Sequence, residues 1–174
     1  MKKITLLITL LLMPLLSCTA FASDNWQWVG SNSNVIVYVD DDSIKYSTPQ
    51  ENPESIDKNI ITFSSKDKYS EEGIQLFVNN MNKQNNHLAE WDKLSYIIMI
   101  KSINVKDNKF YPIKYSYYDS QGRLIYDWNC IKNTPWKEIK PNTFEESCYN
   151  HVITFAREHI DGFQQISSNK LNEK

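Results

Sequence analysis

The segment Lys109 to Cys130, KFYPIKYSYYDSQGRLIYDWNC, constrains the fold more than any other stretch of the 174 residues. Two runs in which aromatic or aliphatic residues alternate with polar ones flank Asp119-Ser120-Gln121-Gly122. Alternation with a period of two marks a strand with one buried face, and the turn residues between the runs make the pair a β-hairpin. A two- or four-residue connection sets Tyr117 opposite Leu124, Tyr115 opposite Tyr126, Ile113 opposite Trp128 and Tyr111 opposite Cys130. One face then carries Tyr111, Ile113, Tyr115, Tyr117, Leu124, Tyr126, Trp128 and Cys130. The other sets Lys114 opposite Asp127 and Ser116 opposite Ile125, a mixed surface with one favourable charge pair. A slip of one residue exchanges the faces, which argues for this register and points Cys130 inward.

The elements around the hairpin follow from the same patterning. NVIVYVD, Asn34 to Asp40, is a β-branched and aromatic strand that ends at Asp40-Asp41-Asp42-Ser43 and resumes briefly in IKY. STPQENPESIDKN, Ser47 to Asn59, is Pro-rich and polar, an exposed loop, and Ile60 to Phe63 resumes a strand. Ser70 followed by Glu71 and Glu72 is a helix start, and Ile74, Phe77, Val78 and Met81 fall at i, i+3, i+4 and i+7. Asn85-Asn86 marks a point where that helix ends or kinks, and Leu88 and Trp91 carry the same stripe onward to about Lys93. YIIMI, Tyr96 to Ile100, is apolar without alternation and reads as a central strand covered on both faces. Thr143 and Glu146 form a capping box for a second helix, whose stripe is Tyr149, Val152, Ile153, Ala156, Ile160 and Phe163. That helix is expected on the aromatic face of the sheet.

The N-terminus reads as a secretory leader. Lys2 and Lys3 precede an apolar run, Ile4 to Leu16, that is too short to span a bilayer but suits a signal peptide. Ala20-Phe21-Ala22 then places small residues where a signal peptidase cuts, between Ala22 and Ser23. The competing reading takes Leu15-Leu16-Ser17-Cys18 as a lipobox, with Cys18 acylated and retained as a lipid anchor. Cleavage after Ala22 leaves 152 residues, one domain by length, with a net charge of −4 in place of −2. A mildly acidic chain without a Lys/Arg cluster is a poor nucleic-acid binder. In an oxidising compartment Cys130 and Cys148, the two remaining thiols, are expected to pair. Such a bond removes about 3 kcal/mol of unfolded-state entropy and fastens the start of the second helix to the hairpin edge. A pair of buried free thiols is the alternative.

Motifs for chemistry are sparse. His87, His151 and His159 lack the i, i+4 spacing of a helical metal site, and His151 and His159 are read as surface residues. Asp40-Asp41-Asp42 has neither the alternate ligands nor the Gly and distal Glu of a calcium loop, and reads as a solvated turn. No Gly-rich phosphate loop, G-x-S-x-G elbow or H-E-x-x-H is present. No catalytic, cofactor-binding or metal-ligating residue is assigned. What stands out is the aromatic load of ten tyrosines and five tryptophans. Most are expected in the core, Trp26 and Trp28 of WQW included. Trp26, Trp28, Phe110 and Tyr118 are the residues able to form an exposed patch suited to a protein or glycan.

VYVDDDSI (Val37 to Ile44), YYDSQGRLI (Tyr117 to Ile125) and WKEIKPNTFEESC (Trp136 to Cys148) together resemble the surface-adhesin protein E family of exported bacterial proteins. The resemblance spans most of the mature chain. It implies a small α+β domain exported to the periplasm or cell surface, in a family whose named member binds host extracellular-matrix and serum proteins. No binding residue carries over from it. The expectation is therefore an α+β fold: residues 1–22 a signal peptide, 23–163 one domain with an antiparallel sheet of five or six strands and two helices, and 164–174 a polar tail. The expected function is non-enzymatic binding at the envelope or outside the cell, without cofactor. A periplasmic accessory or inhibitor protein is the first rival, and a small hydrolase the second.

Overall fold

The computed structural model describes residues 25–47, 57–84, 90–130 and 135–159. The leader with Cys18, Ala22 and Ser23, the tail 164–174, His87, Leu88, Ile160 and Phe163 lie outside the described residues. Within them the order is β1 (Trp26–Ser31), β2 (Val35–Ser47), β3 (Asp57–Tyr69), α1 (Glu71–Lys83), a 3-10 turn (Trp91–Lys93), β4 (Leu94–Asn104), β5 (Lys109–Asp119), β6 (Leu124–Asn129), β7 (Lys137–Glu138) and α2 (Phe144–Glu158). All strand pairings are antiparallel, and the strands lie in the sheet in chain order from β1 to β6, with β7 also pairing β5. The class is α+β as expected, with a sheet of seven strands rather than five or six. Because β2 and β3 run through Ser47 and from Asp57, the polar loop shortens to 48–56, which lies outside the described residues.

Both helices cover one face of the sheet. Alternation along β3 and β4 puts Ile61, Phe63, Ile97, Met99 and Ile103 on that inner side, all buried. Ser70 caps α1, its Oγ accepting the Gly73 N–H at 3.1 Å. The helix then lays Ile74, Phe77, Val78 and Met81 over Trp91, Leu94, Ile97, Met99 and Tyr117. The helix stops at Lys83, just before Asn85-Asn86, and Trp91, only 2% exposed, carries the stripe into this cluster from the 3-10 turn. Thr143 Oγ1 caps α2 by accepting the Glu146 N–H at 3.3 Å, while Glu146 Oε2 accepts the Asn142 N–H at 2.7 Å, one residue ahead of the cap. A second cluster under α2 holds Val37, Val39, Ile44, Ile61, Phe63, Cys148, Val152 and Ala156.

Three expectations about packing are corrected. The hairpin register is slipped by two residues, with Tyr117 opposite Tyr126 and Tyr115 opposite Trp128. The cause lies in the turn, where Asp119 Oδ1 accepts the N–H groups of Gln121 (2.8 Å) and Arg123 (2.9 Å) and Oδ2 takes Arg123 Nε at 2.7 Å. Gly122, at φ +77°, completes a longer connection that leaves Leu124 opposite Tyr118. From Tyr117 onward the slip of two preserves parity, so Tyr115, Tyr117, Tyr126 and Trp128 still share a face and Lys114 still reaches Asp127 at 2.8 Å, whereas the shift after Tyr117 moves Leu124 from the expected tyrosine face to the outer one. Second, α2 packs on β1, β2 and β3. It is α1, with Trp91, that covers the tyrosine face.

Third, Cys130 and Cys148 do not form the expected bond, and both are free thiols. The reason follows from the first two corrections. Cys148 sits in the α2 cluster, 1% exposed, against the β2 and β3 side of the sheet. Cys130 lies at the end of β6, the far edge strand, its N–H bonded to Ile113 O.

Candidate functional site

The opposite face of the sheet has no helix over it among the described residues. Register assigns its residues in rows that run across the strands. One row is Trp28, Tyr38, Lys66, Ile98, Ser116 and Asp127, and the next is Ile36, Lys68, Tyr96, Tyr118 and Leu124. A third is Trp26, Asp40, Ser64, Ile100, Lys114 and Asn129. With strands about 4.8 Å apart, six of them span about 24 Å.

This outer face is aromatic and cationic together. Trp28 is 61% exposed and Leu124 52%. Lys66 Nζ lies 4.2 Å from the Trp26 ring centroid and 6.0 Å from that of Tyr96, so one ammonium braces two rings across the sheet. Tyr96 and Tyr118 stack at 5.0 Å and 12°. At the paired positions the face carries Lys45, Lys66, Lys68, Lys109 and Lys114 beside Asp40, Asp57, Asp127 and Glu138, with Lys109 directly opposite Glu138. Asp127 is already joined to Lys114, whose hydrogen bond holds its carboxyl below the usual range. Lys45, Lys66 and Lys68 are gathered on β2 and β3, while Glu71, Glu72, Glu145 and Glu146 load the first turns of the helices.

Two placements differ from those read from the sequence. The core position expected for WQW holds for neither tryptophan: Trp26 pairs Asp40 and Trp28 pairs Tyr38 on the outer face, and the bulge after Trp28 brings Val29 and Gly30 both to the inner side. Phe110 goes the other way. A register shift between Ile100 and Lys101 sets Pro112 opposite Lys101 and Phe110 opposite Ile103, on the inner side against the α2 cluster, and turns Tyr111 outward against Trp136. Pro112 has no N–H for the ladder, which suits it to an irregular position. Tyr118 is where it was expected.

The inner face holds a buried polar seam that sequence pattern does not expose. Between the two apolar clusters lie Ser65, 0% exposed, Asp67, and Lys101, 5% exposed. Ser65 Oγ and Asp67 Oδ1 are buried and have no hydrogen-bond partner. Burial raises the Asp67 carboxyl to about 6, with Lys101 opposing and Glu145 adding to the shift. No ion pair within 4 Å joins Asp67 to Lys101. Burial also pushes the Tyr115 hydroxyl up to about 12 and the Cys148 thiol up to about 11, away from the reactive thiolate form. The open grooves lie elsewhere. One, of about 560 Å³, runs along α1 by Glu71, Ile74 and Asp92, and another, of about 490 Å³, lies between Phe110, Lys137 and Thr143. Of the groups in and around the seam, only Glu145 lines a described groove.

The remaining candidates are placed plainly. His151, read as a surface residue, is half-buried and its Nε2 lies 2.6 Å from Asp41 Oδ1. That contact ties α2 to the bulge in β2, so the Asp40-Asp41-Asp42 stretch is part of a strand rather than a solvated turn. His159 is exposed, with Nδ1 2.9 Å from Phe155 O. No cluster of three or more His, Cys, Asp or Glu residues suited to a metal ion occurs among the described residues. No helix among them is long and apolar enough to cross a membrane.

No family model matches the chain, and no curated protein matches it. Among solved structures, the crystal structure of protein E from non-typeable Haemophilus influenzae is similar to it. The identity is 14%, the match covers 91% of this chain and 95% of that chain, and the TM-score is 0.44. At that distance the likeness is one of general fold and assigns no ligand.

Proposed function

We propose that the chain is an exported, non-enzymatic binding protein of the cell envelope or surface, adhesin-like, which meets its partner with the outer face of the sheet. The observation that carries this reading is the exposure of Trp28, at 61%, beside Tyr38 and the Lys66-braced Trp26 on a face that no described helix covers. Large exposed aromatic groups on a broad face mark a contact surface. The leader Lys2 to Ala22 and the resemblance of Val37 to Ile44, Tyr117 to Ile125 and Trp136 to Cys148 to surface adhesins support delivery outside the cytoplasm. The separation of the described grooves from the buried Asp67 and Cys148 supports binding over catalysis.

Two measurements test the reading. Protease applied to intact cells is expected to degrade the protein; survival there, with degradation after the outer membrane is opened, favours a periplasmic accessory protein instead. Purified protein is expected to bind immobilised extracellular-matrix protein, and Trp28→Ala to weaken that binding about tenfold with the far-UV spectrum unchanged. Undiminished binding by Trp28→Ala contradicts the assignment of the outer face.

A further inference from the structure

We infer that the ligand of the outer face is an anionic polysaccharide, a polymer of sugar rings bearing sulfate or carboxylate groups; this rests on the reading of the outer face as the contact surface. Three observations select it.

The first is charge. On the half of the outer face formed by β2 and β3, Lys45, Lys66 and Lys68 cluster with Asp40, while on the far half Lys114 is held by Asp127 at 2.8 Å and Lys109 stands opposite Glu138. Lys45, Lys68 and Lys109 enter no ion pair among the described residues. Lys45, Lys66 and Lys68, on adjacent strands beside Trp26 and Trp28, make that half of the face complementary to a polyanion.

The second is the alternation of cation and ring. Lys68 pairs in register with Tyr96, Lys66 with Tyr38, and Lys66 also bridges Trp26 and Tyr96. A sugar ring offers an apolar C–H face that packs on an indole or phenol, while its charged substituents project sideways. Rows in which a ring and an ammonium sit one strand, about 4.8 Å, apart match that arrangement.

The third is shape. The face is a twisted surface about 24 Å across, and the described grooves lie instead at α1 and at the start of α2. An extended polymer lies across such a surface, its rings against the exposed aromatics. Nucleic acid also combines rings with negative charge. The face carries no arginine at its paired positions, so the planar fork that reads phosphate and base edges is missing.

The test is a binding titration of the purified protein with heparin as the sulfated polysaccharide, beside single-stranded oligothymidylate and polyglutamate. The expected result is binding to heparin at about 50 mM salt, with log affinity falling against log salt at a slope of about 2 to 3, one for each unpaired lysine engaged. The double variant Lys45→Glu/Lys68→Glu is expected to lose at least about tenfold in affinity, and Trp28→Ala about fivefold with the salt slope retained. Lys83→Glu, on α1 across the molecule, is the control and leaves binding unchanged. The inference is overturned if heparin is not bound, if Lys83→Glu weakens binding as much as the double variant, or if oligothymidylate or polyglutamate binds as tightly as heparin. Failure here with Trp28-dependent binding to matrix protein intact sinks the polysaccharide alone. Matrix binding that ignores Trp28→Ala sinks the contact surface itself.

Discussion

Asp67 is the residue whose surroundings depart furthest from its chemistry. It stands on the inner face of β3, two positions from fully buried Ser65, with Oδ1 unpartnered and its pKa raised from 3.8 to about 6 by burial. A carboxyl raised in the folded state holds its proton more tightly there than in the unfolded chain. The stability it contributes is therefore present at pH below 3.8, is lost as pH rises through 6, and stays absent above. The shift corresponds to about 3 kcal/mol. Asp67→Asn is expected to be more stable than the parent at about pH 7.5 and equal to it near about pH 4, as read by urea denaturation at each pH. A variant less stable at neutral pH would mean that the carboxylate's attraction to Lys101 outweighs its desolvation. None of this is visible in ITFSSKDKY, because polar Ser65 and Asp67 at alternate positions read as a strand turning its face to water.

Among the elements, those with a long periodic pattern were legible and their joints were not. The caps at Ser70 and Thr143, the apolar stripes of α1 and α2, and the shared face of Tyr115, Tyr117, Tyr126 and Trp128 all follow from spacing. The two-residue slip of the hairpin leaves that parity unchanged and so leaves no mark in the pattern. The bulges after Trp28, Asp40 and Ile100 do mark the fold, bringing Val29 and Gly30, Ile44 and Phe110 to the inner side, yet each depends on how a partner strand is paired. Which helix covers which half of the sheet likewise rests on contacts distant in the chain.

The seating of α1 gives a test at this level. Gly73, in its first turn, is buried, and a Cβ there would stand 2.1 Å from Asn34 O, while Ser70 N donates to the same carbonyl at 3.0 Å. Alanine ordinarily favours a helix over glycine by about 1 kcal/mol. Here the obstacle is backbone, so Gly73→Ala is expected to destabilise by about 3 kcal/mol, whereas Asn79→Ala on the exposed side of the same helix is expected to be neutral or stabilising. Chemical denaturation of both variants checks the pair. A stabilised Gly73→Ala would mean that α1 is not held against the start of β2.

For the molecule as a whole, the division of labour is between two faces of one sheet. The inner face lays most of its apolar residues beneath two helices, leaving Tyr126 and Trp128 exposed at its β6 edge, and buries Cys148 fully and Cys130 in part. The outer face keeps its tryptophans and lysines in view, and that face is the basis of the functional proposal. Composition alone pointed away from nucleic acid, and a net charge of −2 gives no sign that Lys45, Lys66 and Lys68 stand together beside the rings of β1 and β2. The most direct measurement is lysine acetylation read by mass spectrometry, with and without heparin. Protection is expected at Lys45, Lys68 and Lys109, and none at Lys83, Lys93 or Lys106. Protection confined to the helix side, or equal on both sides, would contradict a binding surface on the open face of the sheet.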